Sequence, residues 1–308
     1  MIFENPGLSK ASVAGTFRDA GFSHALIWEE GETNPGEVEY IITVKKPLNA
    51  TVLMKYPNVK MIAVAFTGFD SVDLNYCRKN NIAVYNVPAY STNAVVELAI
   101  GLTISVLRDI PLAYNTIHSN GWDLKPGLEL NGKTVGIVGT GKIGRTAARV
   151  FKAFGCDVIG WSRSHNEEFI ELGGEYVTDI KQLFSSADIV SIHLPLNEHT
   201  KGMIGSKELG AMKGTAYLIN TARGPIVDEK ELIRVLDDKK IAGAGLDVFE
   251  QEPLPPDSPL LGLDNVVLTP HIAYKTEEAI QRRVQVTVEN LKRFMDNDGV
   301  NRVDGPIS

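Results

Sequence analysis

Cysteine, excess positive charge and long apolar runs are all scarce in this 308-residue sequence, and each scarcity excludes a class of protein. Only Cys77 and Cys156 are present, so a disulfide framework is excluded and a reducing compartment is expected. The net charge of -7 argues against a nucleic-acid-binding protein, which needs a basic surface. No apolar run reaches the ~18–20 residues that cross a membrane, and the N-terminal stretch lacks the basic segment of a signal peptide. We therefore expect a cytoplasmic protein that binds neither nucleic acid nor membrane.

The composition that remains is that of an ordinary globular protein, with 44% hydrophobic and 22% charged residues. A chain of this length can form two domains. Short apolar runs alternate with helical stretches, and this alternation predicts α/β units with parallel sheets. We expect strands at residues 25–28, 38–44, 59–65 and 82–85, and six more at 134–138, 157–161, 189–194, 216–220, 242–247 and 266–269.

The sequence predicts a crossing between the two domains around Pro88, before an apolar helical stretch at residues 94–107. A helix so apolar must be buried, either between domains or against a partner chain. Residues 112–130 are predicted to form a polar connection, and a long helix at 276–296 is expected to pack back on the first domain. We place a substrate-binding domain at residues 1–97 plus 272–308 and a dinucleotide-binding domain at 98–271.

A glycine-rich turn follows the first of the six later strands. Gly139, Gly141 and Gly144 have the G-x-G-x-x-G spacing, and a helical stretch comes directly after them. The first glycine permits a tight turn, the second lets the backbone approach a pyrophosphate, and the third lets helix and strand pack closely. The helix N-terminus favours the negative charge of that pyrophosphate. This order predicts a dinucleotide site, in which we include Lys142 and Ile143.

Polar residues stand at or just beyond the ends of three later strands. These are Arg223, then Asp247 with Glu252 in the loop that follows, and His271. Arginine binds a carboxylate with two hydrogen bonds, a histidine can donate a proton near neutral pH, and a carboxylate can orient that histidine. Each residue alone has a simpler explanation, as a solvated charge or a structural side chain, but together they suit the reduction of a 2-keto acid. His193, inside a predicted strand, is left out of the mechanism.

The loop at residues 66–73 also follows a predicted strand. Ligands of open α/β sheets lie outside the carboxyl ends of the strands, so the backbone N–H groups of Thr67 and Gly68 could hold a carboxylate. An equally good alternative is a plain strand-to-helix turn capped by Ser71 or Asp70.

Several motifs together resemble one family. They are Gly68-Phe-Asp-Ser-Val-Asp73, Ala94-Val-Val-Glu97, Gly139-Thr-Gly-Lys-Ile-Gly144, His193-Leu-Pro-Leu196, Asn220-Thr-Ala-Arg-Gly224, Asp247-Val-Phe-Glu-Gln-Glu-Pro253 and Thr269-Pro-His-Ile-Ala273. With these motifs the chain closely resembles the D-isomer-specific 2-hydroxyacid dehydrogenases. The resemblance implies that Arg223 binds the substrate carboxylate and carbonyl and that His271 is the acid/base. Its carboxylate partner would be Glu252 rather than Glu250, because the family's glutamate directly precedes a proline. Asp247 would bond the nicotinamide amide.

The same resemblance implies a Rossmann doubly wound parallel sheet with a smaller flavodoxin-like parallel-sheet domain for the substrate. It implies that the backbone at Thr67 and Gly68 holds the substrate carboxylate. It also implies a homodimer formed largely through the cofactor domain, which would account for the apolar helix after residue 94. We count Pro195 and Thr221 among the cofactor-binding residues as well.

The cofactor preference is predicted from the end of the second of the six later strands. NAD-preferring members have an acid there, which accepts hydrogen bonds from the adenosine ribose. Here Ser162 stands at that place with Arg163 beside it. Because these residues suit a 2′-phosphate, we favour NADP(H), with NAD(H) as the alternative. A non-discriminating stack of the arginine on adenine would leave both cofactors usable.

The favoured substrates are small 2-keto acids such as hydroxypyruvate or glyoxylate. Phosphoglycerate is less favoured because the substrate half has no arginine cluster, although Lys45 and Lys46 could meet a phosphate. An alternative from another class is a dinucleotide-sensing corepressor, since such proteins of this fold keep the same three residues. The sequence leaves the substrate side chain and the physiological direction open.

Overall fold

The computed structural model describes residues 2–4, 9–22 and 34–305, which divide into two compact units. Unit 1 comprises Met1–Ser91 and Lys275–Ser308, and unit 2 comprises Thr92–Tyr274. A boundary after residue 97 would cut through the continuous helix Thr92–Leu107, which explains why the units separate before that helix. The expected strand at residues 25–28 lies outside the described residues.

The strands and α-helices of the described residues are numbered here in chain order. The strands are β1 (Ile2–Phe3), β2 (Tyr40–Thr43), β3 (Met61–Val64), β4 (Ala83–Asn86), β5 (Thr134–Val138), β6 (Asp157–Trp161), β7 (Gly174–Tyr176), β8 (Ile189–Ile192), β9 (Tyr217–Asn220), β10 (Gly243–Leu246) and β11 (Val266–Leu268). The helices are α1 (Lys10–Asp19), α2 (Ala50–Leu53), α3 (Leu74–Lys79), α4 (Thr92–Leu107), α5 (Ile110–His118), α6 (Lys142–Ala153), α7 (Glu167–Glu171), α8 (Ile180–Ser186), α9 (Ser206–Leu209), α10 (Glu229–Asp237) and α11 (Glu277–Met295).

Unit 1 is built on a parallel sheet in which the described strands have the order β1-β2-β3-β4. Strands β3 and β4 are fully buried, as parallel strands covered on both faces must be. Helix α11 contacts β3, β4 and α1. Its buried residues Ile280, Val284 and Val288 recur every four positions and form one apolar face. The expected packing of this helix on the first unit is therefore observed.

Unit 2 is built on a seven-stranded parallel sheet of order β11-β10-β9-β8-β5-β6-β7. The chain starts in the middle at β5, winds outward through β6 and β7, and then returns to β8 on the other side of β5. In such sheets ligands bind at the carboxyl ends where the winding reverses, which here is the crevice between β5 and β8. The α/β fold with parallel sheets is therefore confirmed.

In unit 2, β7 and α5 are among the elements that differ from the sequence-based expectation. A seventh strand, β7, was missed because its three residues carry no hydrophobic run. Helix α5 occupies part of the stretch that was predicted as a polar connection. Pro111 lies in the first turn of α5, where proline is favoured. This local indication of a helix start was not recognised when the whole stretch was interpreted as a polar connection.

The apolar helix α4 packs within its own unit. It contacts β9, β10, β11 and α6, and Gly245 lets it approach β10 closely, since a Cβ there would lie 2.9 Å from Leu102 Cβ. The expectation that this helix needs another domain or a partner chain for its burial is thus wrong. Among the described residues, no helix combines the length and apolar character of a membrane span.

Candidate active site

The glycine turn joins β5 to α6 at the winding reversal. Gly139 has a positive φ of 97°, and a Cβ there would lie 2.6 Å from the carbonyl oxygen of His193. A Cβ at Gly144 would lie 2.0 Å from the carbonyl oxygen of Gly139. At Gly141, in contrast, no described atom lies within 4 Å of a built Cβ. The first and third glycines are therefore required by the protein's own packing, whereas Gly141 is not, which fits a backbone that a ligand approaches.

Two further observations fit a dinucleotide at this turn. Helix α6 begins after Gly141 without a side-chain cap, so the N–H groups of its first turn, which includes Lys142 and Ile143, are open to an anion. In the loop that directly follows β9, the Thr221 hydroxyl is buried and has no hydrogen-bond partner among the described residues. A buried hydroxyl without a partner is costly, and a bound cofactor could satisfy it.

Ser162 and Arg163 directly follow β6, on the other side of the glycine turn. Arg163 is exposed, and no described residue forms an ion pair or hydrogen bond with its side chain. Nearby, the Tyr176 hydroxyl lies 2.7 Å from Thr140 Oγ1 in the turn and accepts a hydrogen bond from the Asn166 N–H. Tyr176 belongs to the missed strand β7, so this contact could not have been read from the sequence.

The carboxyl ends of β9, β10 and β11 are level with one another. Asn220 at the end of β9 is paired with Leu246, and Leu246 with Leu268 at the end of β11. Since adjacent strands lie about 4.8 Å apart, the loops that begin there share one edge of the sheet. Arg223, Glu252 and His271 all belong to these loops.

The side chain of Asn220, which is almost completely buried, stabilises the loop that carries Arg223. The Asn220 side chain accepts from the N–H of Ala222 at 3.0 Å and donates to the carbonyl of Arg223 at 3.1 Å. A Cβ at Gly224 would lie 2.0 Å from the backbone of Phe249. The glycine therefore lets the arginine loop pack directly against the loop that leads to Glu252.

His271 and Glu252 form a close polar pair in the site. His271 Nδ1 lies 2.6 Å from Glu252 Oε2, and the side chains are 13% and 32% exposed. Glu252 Oε1 also accepts from the N–H of Phe249 at 3.3 Å. This contact orients the imidazole so that Nε2 is the nitrogen directed away from the carboxylate. Glu250 belongs to the same loop, and its backbone N–H donates a hydrogen bond to the carboxylate of Glu229 at 2.8 Å.

Asp247 is fully buried and organises the loop of His271. Its Oδ1 accepts from Thr269 Oγ1 at 2.6 Å and from the N–H of Ile272 at 2.8 Å, and its Oδ2 accepts from the N–H of Ala273 at 2.8 Å. Its backbone carbonyl accepts from the N–H of His271. Sequence reasoning named Asp247 as a cofactor residue and missed this positioning role, which depends on the folded loop.

His193 is a second residue whose position the sequence did not indicate. β8 ends at Ile192, so His193 lies just beyond the strand rather than inside it. Its Nε2 lies 2.9 Å from Ser191 Oγ, and burial lowers the pKa of the imidazole to about 4. The side chain is therefore neutral at physiological pH, beside the glycine turn and two residues before the exposed Pro195.

The loop of Thr67 and Gly68 lies in unit 1, beyond the end of β3. The Thr67 hydroxyl donates to the carbonyl of Val87 at 3.0 Å, and the Asn86 amide donates to the carbonyl of Thr67 at 2.7 Å. No described residue accepts a hydrogen bond from the N–H of Thr67 or Gly68. The loop is thus fixed to β4 with two backbone donors available. The following helix α3 is capped by Asp73, not by Ser71 or Asp70 as the turn alternative supposed.

Comparison with known proteins gives a family match over the sheet of unit 2. Residues 100–273 match the model of the D-isomer specific 2-hydroxyacid dehydrogenase NAD binding domain. A glyoxylate reductase of Thermofilum pendens is 44% identical over 79% of this chain and 74% of its own length. A hydroxypyruvate reductase of Blautia hydrogenotrophica is 32% identical over 90% of this chain and 88% of its own. A D-3-phosphoglycerate dehydrogenase of Methanocaldococcus jannaschii is 40% identical over 79% of this chain but 47% of its own length.

Solved structures agree over nearly the whole chain. D-lactate dehydrogenase from Aquifex aeolicus, complexed with NAD and lactic acid, has a TM-score of 0.89 at 30% identity and covers all of both chains. An acyclic imino acid reductase complexed with NADPH and D-Arg has a TM-score of 0.87 at 30% identity, with 98% of this chain and all of that chain covered.

Proposed function

Because the chain belongs to the D-isomer specific 2-hydroxyacid dehydrogenase family, we propose that it reduces small 2-keto acids to D-2-hydroxy acids with NAD(P)H. The family match confirms the resemblance found in the sequence. One observation carries the proposal above all. The His271–Glu252 pair, with 2.6 Å between its polar atoms, lies in loops that begin at the same sheet edge as the loop of Arg223.

We assign each step to a side chain. Arg223 binds the substrate carboxylate and polarises the carbonyl oxygen. In unit 1, we propose the N–H groups of Thr67 and Gly68 as donors to a carboxylate. The hydride for the carbonyl carbon would come from a reduced nicotinamide held at the glycine turn of Gly139, Gly141 and Gly144. The carbonyl oxygen takes its proton from Nε2 of His271, because Nδ1 is engaged by Glu252. Glu252 stabilises the protonated imidazole before the transfer, and solvent returns the proton afterwards.

The favoured substrates are hydroxypyruvate and glyoxylate. The relatives that support this choice are named for those two acids and match most of the length of this chain. Relatives named D-3-phosphoglycerate dehydrogenase keep a phosphorylated substrate as the second candidate.

Turnover of a panel of 2-keto acids, followed by the absorbance of the reduced cofactor, tests the reaction. We expect His271→Ala to lower kcat by about 10²–10⁴ and Glu252→Gln to lower it as well. The matched control is His199→Ala, which removes an exposed histidine of another loop and should leave kcat unchanged. If wild type and His271→Ala are equally inactive on every acid, the corepressor-like binding protein is the better reading.

For the cofactor we propose a preference for NADP(H) over NAD(H). The position after β6 holds Ser162 rather than an acid, and the Arg163 guanidinium has no ion-pair partner among the described residues. A 2′-phosphate gains two or more charge-assisted contacts there, whereas an acid at this place would repel it.

The ratio of kcat/KM for NADPH to that for NADH measures this preference. We expect at least about tenfold in favour of NADPH, which corresponds to about 1.4 kcal/mol. Ser162→Asp combined with Arg163→Gln should reverse the ratio. Arg149→Gln is the control, since Arg149 is an exposed arginine of α6 that pairs with Glu168. A wild type that favours NADH by the same factor contradicts the proposal.

We further propose a homodimer in which a second copy covers α5 and the segment after it. Ile110, Leu112, Tyr114, Ile117 and Trp122 are all exposed, and Trp122 is 83% exposed. These large apolar side chains form one exposed patch along a short segment. An exposed apolar patch of this kind indicates a surface that binds another protein chain. Light scattering should give a dimer mass for wild type and a monomer mass for Tyr114→Glu with Ile117→Glu. Ile170→Glu on α7, an equally exposed apolar position outside the patch, should stay dimeric.

A further inference from the structure

A carboxylate of unit 1 is held by successive backbone N–H groups at the end of β2. Glu4 Oε2 accepts from the N–H groups of Val44, Lys45 and Lys46 at 2.8, 2.9 and 2.8 Å, and from Thr43 Oγ1 at 2.9 Å. These hydrogen bonds hold the pKa of Glu4 below its usual value, although burial acts in the opposite direction. We call the three N–H groups of residues 44–46 the β2 nest, because successive N–H groups of this kind bind anions.

The β2 nest is the neighbour of the proposed carboxylate-binding loop. β2 and β3 pair in parallel with Thr43 opposite Val64, and the N–H of Ala65 donates to the carbonyl of Thr43 at 2.7 Å. The ammonium group of Lys45 lies 5.6 Å from the centre of the Phe66 ring, directly before Thr67. The nest and the loop therefore stand side by side at the carboxyl edge of the unit 1 sheet.

In unit 1, the β2 nest is the place where a second anionic group of a substrate, next to its carboxylate, would find hydrogen-bond donors. A phosphorylated 2-keto acid carries a carboxylate at one end and a phosphate at the other, so it needs donors for both. In unit 1 the donors next to the proposed carboxylate loop are the three N–H groups and the two lysines at the end of β2. All three N–H groups already bond an internal carboxylate, whose negative charge repels a phosphate.

We propose that Glu4 is a specificity residue that excludes phosphorylated 2-keto acids by filling the β2 nest with a carboxylate of the chain itself. The inference rests on the proposed 2-keto acid reduction and narrows its substrate class to small acids without a phosphate. On this proposal Lys45 and Lys46, which the sequence offered as phosphate ligands, do not bind a substrate phosphate.

A purely structural role for Glu4 is the competing explanation. The N–H of Glu4 donates to the carbonyl of Ile42, so the residue also continues the pairing of β1 with β2. A structural carboxylate would affect stability when replaced but would leave the choice between phosphorylated and unphosphorylated substrates unchanged. Substrate choice is therefore the decisive measurement.

The experiment compares kcat/KM for hydroxypyruvate and for 3-phosphohydroxypyruvate. Wild type should favour hydroxypyruvate by about 100-fold or more, and Glu4→Gln, which removes the charge and keeps the shape, should narrow this ratio by about tenfold or more. The control is Glu39→Gln, an acid at the opposite end of β2 that pairs with Lys60. Equal efficiency of wild type on both acids overturns the proposal, as does an unchanged ratio in folded Glu4→Gln.

Calorimetric titration with inorganic phosphate gives a readout that needs no activity. Phosphate should bind Glu4→Ala, in which the β2 nest is open, and should not bind wild type or Glu39→Gln. Phosphate that binds neither Glu4→Ala nor Glu4→Gln overturns the inference. Failure of the proposed function is distinct, because it would appear as a wild type that turns over no 2-keto acid at all. Because both the substrate ratio and the titration include wild type, the proposal can be refuted even if one variant does not fold.

Discussion

Replacement of His193 by glutamine tests the idea that the partly buried imidazole at the winding reversal of unit 2 is neutral. Burial lowers the pKa of His193 from 6.5 to about 4. The unfolded chain therefore binds a proton more readily than the folded one, and acid favours unfolding. The stability linked to the neutral ring is fully present above about pH 6.5 and is lost as the pH falls toward about 4.

The magnitude follows from the two pKa values. Each pKa unit corresponds to about 1.4 kcal/mol, so the full effect is about 3 kcal/mol. Between about pH 7.5 and about pH 5, wild type should lose about 2 kcal/mol of unfolding free energy through this group. His193→Gln can still hydrogen bond to Ser191 and does not titrate, so it should lack this loss.

Urea unfolding followed by tryptophan fluorescence at both pH values measures the effect. The quantity compared is the change in unfolding free energy between the two pH values for wild type and variant. His199→Gln is the control because His199 is exposed and its described hydrogen bond comes from its backbone N–H. Equal pH dependence in wild type and His193→Gln would refute the reasoning.

Three further predictions concern packing, a buried acid and the thiols. Gly144→Ala should lower Tm strongly, since its Cβ would lie 2.0 Å from a backbone oxygen. Gly141→Ala should keep the Tm of wild type and weaken NAD(P)H binding. A larger loss of Tm in Gly141→Ala than in Gly144→Ala would contradict the roles assigned to the two glycines. Asp304→Asn should destabilise the protein by about 1–3 kcal/mol in thermal unfolding, because the carboxylate accepts from a buried strand N–H and from an arginine. Burial raises the pKa of Cys77 to about 12 and that of Cys156 to about 11, so a chromogenic disulfide reagent should label both only in urea; rapid native labelling would count against this.

The strands other than β1 and β7, and the edge of the sheet where the chemistry is proposed, could be predicted from the sequence. Apolar runs of four to five residues mark the inner strands of both sheets, because parallel strands are buried on both faces. Arg223 and His271 could be placed because each follows a strand end, and strand ends of a parallel sheet share one edge. Because both residues follow the ends of strands in one parallel sheet, the sequence predicted that their side chains lie in the same crevice.

Contacts between residues distant in sequence could not be predicted. Glu4 meets residues about forty positions later, and only the folded loop shows that its carboxylate lies in a nest of N–H groups. In the sequence, Asp247 cannot be distinguished from other acids at strand ends. Only the folded structure shows that its carboxylate accepts hydrogen bonds from the loop of His271. β7 was missed because its three residues, one of them a glutamate, show no alternation of apolar and polar side chains. Its pairing with β6, rather than its own strand propensity, makes it a strand.

The winding order of the unit 2 sheet separates two tasks along its edge. The residues proposed to choose the cofactor follow β6, on one side of the central strand β5, whereas the loops of Arg223, Glu252 and His271 follow β9, β10 and β11 on the other side. On the proposed function, a change of coenzyme would need substitutions only in the loop after β6, and the hydrogen bonds of the proposed acid/base pair would be kept. A change of substrate would likewise need substitutions only in the loops after β9, β10 and β11.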